Sequence, residues 1–149
     1  DPNIRSFLGA ARVAHLGTVG PKNAPHVVPV VFILLDEYIY IVIDDKPKTT
    51  TRLARIRHIE ADPRVTLLVD EYHEDWRRLR WVMCRGSAQI MTATSPEVDD
   101  AHPREDVLSE LRIKYPQYRS HDLARRPLIR VQIERITHWA AVNSGHSET

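Results

Sequence analysis

A single cysteine, Cys84, excludes an intramolecular disulfide and fits a reducing cytosol. Only five glycines occur, and they form neither a G-x-G-x-x-G turn nor a P-loop. A nucleotide cofactor is therefore not expected to be bound in the Rossmann manner. No apolar run approaches the roughly 20 residues that a bilayer-spanning helix needs. Charge of one sign is also missing. Lys and Arg total 21 against 20 Asp and Glu, so no overall field draws the chain to nucleic acid or to an anionic membrane. The basic side is almost all arginine, with lysine only at positions 22, 46, 48 and 114. The eight histidines are dispersed, with no H-E-x-x-H and no Cys/His cluster at metal spacing, so no metal site is expected. His73-Glu74-Asp75 reads as an acidic surface loop. Ser87 lies in Gly86-Ser87-Ala88, which is no nucleophile elbow, and Cys84 reads as a small buried hydrophobe.

At 149 residues the chain has the size of one domain, residues 1–149, with enough length to bury a real core. It starts at Asp1 without methionine, so trimming of a few residues is expected. Its most informative stretch runs from Tyr38 to Val69. Tyr38 to Ile43 is β-branched and aromatic, bounded by Asp36-Glu37 and Asp44-Asp45, which predicts a strand. Thr49, Thr50 and Thr51 offer capping hydroxyls to the helix that follows. Leu53, Ile56 and Ile59 give that helix an apolar stripe, and Asp62-Pro63 stops it. Arg64 to Val69 resumes as a strand. Lys48, Arg52 and Arg55 recur at spacings of four and three, so they share a helical face near its N-terminus. Free backbone N–H groups and fixed cations there suit an anion such as phosphate. A merely solvated basic face is the alternative.

Along the rest of the chain, Asp1-Pro2 opens a short helix with Ile4, Phe7, Leu8 and Ala11 on one face. Val13 to Val19 is a strand that ends in the turn-rich segment Gly20 to Pro25. His26 to Leu35 is near-continuously apolar, as for a strand buried on both faces. Pro29 within it removes a ladder donor, which predicts a bulge or a free edge where a ligand can take the backbone's hydrogen bonds. Asp70 to Arg78 is polar with aromatics. Trp76 and Trp81 flank Arg77, Arg78 and Arg80 and could stack on an aromatic ligand, although packing in the core or a subunit interface is the commoner use. Leu79 to Met91 is a strand that Gly86 bends or bulges. Ser95-Pro96 starts another helix, and Glu105 to Tyr115 is a helix with Val107, Leu108 and Leu111 on one face. From Leu128 onward, Ile129, Val131 and Ile133 alternate with polar residues as in a half-buried strand. About six strands and two or three helices predict a mainly β, antiparallel barrel.

The segments PHVVPVVF, YIYIVIDDKPK, RLARIRHIEADPRVTLLVD, EDWRRLRWV and KYPQY, in that order, resemble the pyridoxamine 5′-phosphate oxidase-like, flavin-binding split-barrel proteins. They look closest to the actinobacterial branch of F420-dependent enzymes. The resemblance runs from about Ala11 to Trp139, and its most specific piece is DDKPK followed by RLARIRHIEADPRV and EDW…LRWV. It implies a six-stranded split β-barrel that forms a homodimer, with cofactor sites at the subunit interface. In such proteins the phosphate is held at positions matching Lys48 and Arg55, with Lys46, Arg52, Thr49 and Thr50 beside them. The ring system lies against the strand matching His26 to Val31, near Val28, Pro29 and Val30. Substrate-phosphate residues have no match near the C-terminus, which reads His138-Trp139-Ala140-Ala141, so pyridoxine phosphate oxidation is not expected.

The chemistry implied is hydride transfer between a deazaflavin or flavin and a small organic acceptor, with the cofactor supplying the reactivity. No catalytic side chain is assigned. Tyr72, Trp76 and Trp81 are candidates to line a substrate pocket closed by the partner chain. Lys46, Lys48, Arg52, Arg55 and Arg57 fall within twelve residues, a surplus over what one phosphate needs, and only partly offset by Asp44 and Asp45. That surplus suits F420, whose tail continues into carboxylates, over FMN. The alternatives are an FMN-binding reductase or oxidase, a non-catalytic F420 carrier, and a haem-handling protein, for which the dispersed histidines give no clear axial ligand.

Overall fold

The computed structural model describes residues 1–44, 50–93, 101–141 and 147–148, with the backbone alone described at 50–53 and 147–148. Helix α1 (Pro2–Ala10) is capped by Asp1, whose carboxylate accepts from the Asn3 N–H at 2.7 Å. It buries Ile4 and Leu8, as the spacing predicts. Strands β1 (Ala14–Val19) and β2 (Pro25–Val30) form a hairpin, followed by β3 (Ile33–Leu35) and β4 (Tyr38–Val42). Helix α2 (Thr50–Ala61) leads into β5 (Arg64–Glu71), and β6 (Arg80–Met91) returns beside it. Helix α3 (Arg104–Lys114) precedes the long β7 (Leu128–Ala140), on which a two-residue β8 (Ser147–Glu148) pairs. The predicted helix start at Ser95-Pro96 lies outside the described residues.

Every pairing is antiparallel, and the order β2-β1-β5-β6-β7-β4-β3 makes a seven-strand path, one more strand than expected. The extra strand comes from Val31-Phe32. These residues split the apolar run His26 to Leu35 into two short strands at opposite ends of the sheet. Because only two residues join the first and last strands, the sheet must curl until its two edges meet there. The result is an antiparallel half-barrel with a seam between β2 and the β3–β4 pair.

The same break corrects the expectation that His26 to Leu35 is buried on both faces. β2 alternates between exposed and half-buried residues, and Val27 is 65% exposed. It pairs with β1 alone in the sheet path, so the free edge expected from Pro29 is present. β4 is the strand buried on both faces. Ile39, Ile41 and Ile43 point into the main core with Leu16, Leu67, Val82, Ile59 and Phe32. Tyr38, Tyr40 and Val42 point into a second core roofed by Val107, Leu108 and Leu111 of α3. The first four residues of β7 are likewise buried throughout rather than alternating, because both cores need them. Arg130 lies among them with Nη2 on Gln89 Oε1 at 2.8 Å and its guanidinium over the Tyr38 ring.

Tyr115 fastens the seam. Its hydroxyl accepts from the Phe32 N–H at 3.2 Å and shares its proton between the carbonyls of Arg12 and Phe32, at 2.9 and 3.1 Å. The neighbouring Lys114 ammonium is buried without a hydrogen-bond partner among the described residues and sits 4.1 Å from the Phe32 ring centre. Burial, with the Arg12 charge secondary, pulls its pKa from the ordinary 10.5 down to about 8. The folded chain therefore binds fewer protons than the unfolded chain between those two values, and stability rises with pH across that window. The penalty is complete below about 8. Lys114→Met is expected to be more stable than the parent at neutral pH, with the gap closing as pH rises through the window. Urea unfolding at several pH values checks this; a parent chain that is the more stable one at neutral pH contradicts it.

The outer face of β5, β6 and β7 stays half exposed, although it carries large side chains. Leu68 pairs with Met83, Met83 with Thr137, and Trp81 with Trp139 across the strands. No helix among the described residues is long and apolar enough to cross a membrane.

Candidate functional site

The seam opens into a cavity of about 290 Å³ lined by Pro29, Val30 and Val31 on one side and Ile41, Val42 and Asp44 on the other. Arg55, Tyr118 and His121 complete its wall. Each element arrives there for a local reason. β2 ends at the seam because Phe32 turns inward to the core. β4 delivers Asp44 just past its last buried residue, Ile43. Helix α2 turns Ile56 and Ile59 to the core, which carries Arg55 to the cavity, where it is only 8% exposed. Tyr118 comes from the 3₁₀ turn Pro116–Ser120 that follows α3.

The cavity is polar at one end. Asp44 accepts from Arg126 Nε at 3.2 Å and also from His121 Nδ1. The His121 ring stacks edge-on against Tyr118, with centroids 5.5 Å apart. A buried guanidinium, a phenol, a carboxylate–imidazole pair and the free edge of a strand thus face one space. That set can hold a phosphate, hydroxyls and the edge of a heterocycle.

Three of the residues expected at a cofactor site, Pro29, Val30 and Arg55, come together here. Val28 packs instead against the main core. His26 is turned away: it lines an open groove with Val27, Thr66 and Arg85. Its ring packs edge-on to His58 at 5.0 Å. His58 Nδ1 lies 3.0 Å from Thr18 Oγ1. Burial, then the charges of His26 and Arg57, lower the His58 pKa. Lys46, Lys48 and Thr49 lie outside the described residues, and at Thr50 and Arg52 only the helical backbone is described. Tyr72, Trp76 and Trp81 sit at the far end of the β5–β6 hairpin and none lines the cavity within this chain. Trp76 is 67% exposed, with Nε1 donating to the Tyr72 hydroxyl at 3.3 Å.

Asp44, Tyr118 and His121 were not among the expected site residues. Asp44 had counted only as a strand boundary and an offset to nearby cations, and Tyr118 only as the last residue of the KYPQY segment. The usable signal was a carboxylate directly after a buried strand, but its partner His121 lies 77 positions away, beyond any local spacing rule. Cys84 is buried, as expected, and burial pushes its thiol up to about 11. Among the described residues no three His, Cys, Asp or Glu side chains gather around one point.

A second cavity, about 300 Å³, lies between α1 and the β3 and β7 strands. Asp1, Asp36 and Glu37 line it with Arg5 and His138. This acidic wall opposes a phosphate, so the seam cavity is the stronger candidate.

The sequence model for the pyridoxamine 5′-phosphate oxidase family matches residues 1–140. No functionally curated protein matches the sequence. Among solved structures, a conserved hypothetical protein of Mycobacterium tuberculosis superposes with a TM-score of 0.73 at 22% identity, covering 95% of this chain and 84% of that one. A FAD-binding protein of Mesorhizobium loti gives a TM-score of 0.65 at 22% identity over 92% and 90% of the two chains. The haem storage protein HutZ of Vibrio cholerae gives 0.68 at 18% identity over 94% and 93%. At these identities the likeness establishes the fold.

Proposed function

The chain belongs to the pyridoxamine 5′-phosphate oxidase family, and on that premise we propose that it is an F420-dependent oxidoreductase acting on a small organic substrate as a homodimer. The observation that carries this is the seam cavity, where buried Arg55 faces the free edge of β2 across a space walled by hydroxyl and carboxylate groups. Arg55 holds the cofactor's phosphate, supported by the neighbouring cations Lys46, Lys48 and Arg52. The β2 edge at Pro29 and Val30 takes the hydrogen bonds of the ring system, and the apolar walls from Val31, Ile41 and Val42 exclude water. The bound deazaflavin or flavin supplies the hydride chemistry.

A cavity of about 290 Å³ falls at the lower limit of the roughly 300–1,000 Å³ typical of sites for drug-sized ligands. It encloses part of such a cofactor and leaves the rest to a second wall. The half-exposed outer face bearing Leu68, Met83, Trp81 and Trp139 is the surface a second copy would cover, and that copy's Tyr72 and Trp76 would then be available to the substrate. FMN is the second candidate, favoured by one specific feature: Asp44 lines the cavity beside Arg55 and reduces its net positive charge.

Sedimentation of the purified protein is expected to show a dimer at micromolar concentration, with one cofactor bound per chain on titration with F420. A stable, cofactor-competent monomer would overturn the dimeric site. Failure of both F420 and FMN to bind would overturn the oxidoreductase proposal itself.

A further inference from the structure

We propose that Asp44 and His121 form a proton-exchanging pair on the wall of the seam cavity, with His121 Nε2 as the atom offered to the occupant. The identity of that occupant rests on the function proposed above; the pair itself rests on the geometry. His121 lines the cavity, and its Nδ1 is engaged by Asp44. Its Nε2 has no hydrogen-bond partner among the described residues. A carboxylate at Nδ1 selects the tautomer that leaves Nε2 bare when the ring is neutral, and it stabilises the imidazolium when the ring is protonated.

The surroundings fit that role better than a plain surface ion pair, which is usually worth little. The Asp44 side chain is only 14% exposed and is already satisfied by Arg126 on its other oxygen, so His121 is not needed merely to neutralise it. Arg126 orients Asp44. Tyr118 bounds the imidazole on one side, and Arg112 Nη2 donates to the His121 carbonyl at 3.5 Å. Among the described residues, Arg55 is the other charged group of the cavity wall. The His121 side chain is 46% exposed, so it can recover a proton from solvent.

A bound reduced deazaflavin or flavin would supply a hydride to an acceptor double bond and would itself be oxidised by two electrons. That transfer would leave an electron pair on the acceptor's second atom. The Nε2–H proton of His121 goes to that atom and the ring becomes neutral, with Nδ1–H still held by Asp44. Solvent then returns the proton to Nε2.

The test begins with cofactor-free protein carrying ¹⁵N-labelled histidine, in which the resonance lost in His121→Gln identifies the ring. Neutral His121 is expected to carry its proton on Nδ1 in the parent, and to shift toward Nε2–H in Asp44→Asn. A parent ring protonated on Nε2 would overturn the pairing, as would a tautomer indifferent to Asp44→Asn. In a second arm, the parent and His121→Gln are saturated with F420 or FMN and titrated by absorbance. At saturation, the pH midpoint of the bound absorption band is expected to differ between the parent and the variant. An unmoved midpoint overturns the proton exchange. If neither cofactor binds, the function proposed above fails, and the tautomer measurement alone decides the Asp44–His121 pair.

Discussion

Gly86→Ala is expected to destabilise the protein by at least about 3 kcal/mol, the upper end of ordinary overpacking costs. A Cβ at position 86 would fall 2.1 Å from the Gln132 carbonyl oxygen and 3.0 Å from its carbon. Both atoms are backbone of β7, in the most extensively paired part of the sheet, so neither can rotate away. The close approach arises where the β6–β7 register shifts between Arg85 and Gly86 and Glu134 is left without a partner. A domain has only about 5–15 kcal/mol of stability in total, so this one methyl group removes a large share of it. The drop should appear as a lower urea midpoint. A change below about 1 kcal/mol would mean that the two strands do not approach as closely as described.

Arg55→Ala is expected to weaken cofactor binding by about 1.5–3 kcal/mol, the range for a hydrogen bond to a charged group, or roughly 10- to 150-fold in Kd. Because Arg55 is only 8% exposed, the variant also loses packing along the guanidinium stem, and its cofactor-free form should unfold at lower denaturant. Arg55 stands apart from the apolar stripe of Leu53, Ile56 and Ile59, so spacing alone does not reveal this packing loss. Arg55→Lys keeps the charge and most of the stem and should recover part of both losses. Calorimetric titration with F420 and FMN measures the first effect and urea unfolding the second. Unchanged affinity, with the cofactor at the seam, would leave Arg55 a structural residue only.

Much of the fold was legible wherever one physical rule acted alone. Asp1-Pro2 opens α1, Asp62-Pro63 closes α2, and Gly86 sits at the bulge, because caps, prolines and close approaches are local events. Burial was harder to read. His26 to Leu35 and Tyr38 to Ile43 are both apolar, yet only the second is sandwiched between two cores. The difference depends on whether another element covers a face, and α3 covers β4 from some 65 positions downstream. The candidate site divides in the same way. Pro29 announced a free edge and Arg55 a cation near a helix start. His121 could not be joined to Asp44 by any spacing rule, since the 3₁₀ turn after α3 brings it there. His26, by contrast, belonged to the apolar run in sequence but is drawn to His58 on α2 instead.

Under the proposed function, the seam cavity binds a deazaflavin in preference to a flavin. The most direct measurement is competitive titration of purified protein with F420 and FMN, at low and high ionic strength, read by fluorescence. Tighter binding of F420 is expected, because its carboxylate tail continues past the phosphate toward the cations between Lys46 and Arg57. The preference should shrink as salt rises and exposed charges are screened. Tighter binding of FMN at both ionic strengths would contradict the claim and assign the cavity to a flavin.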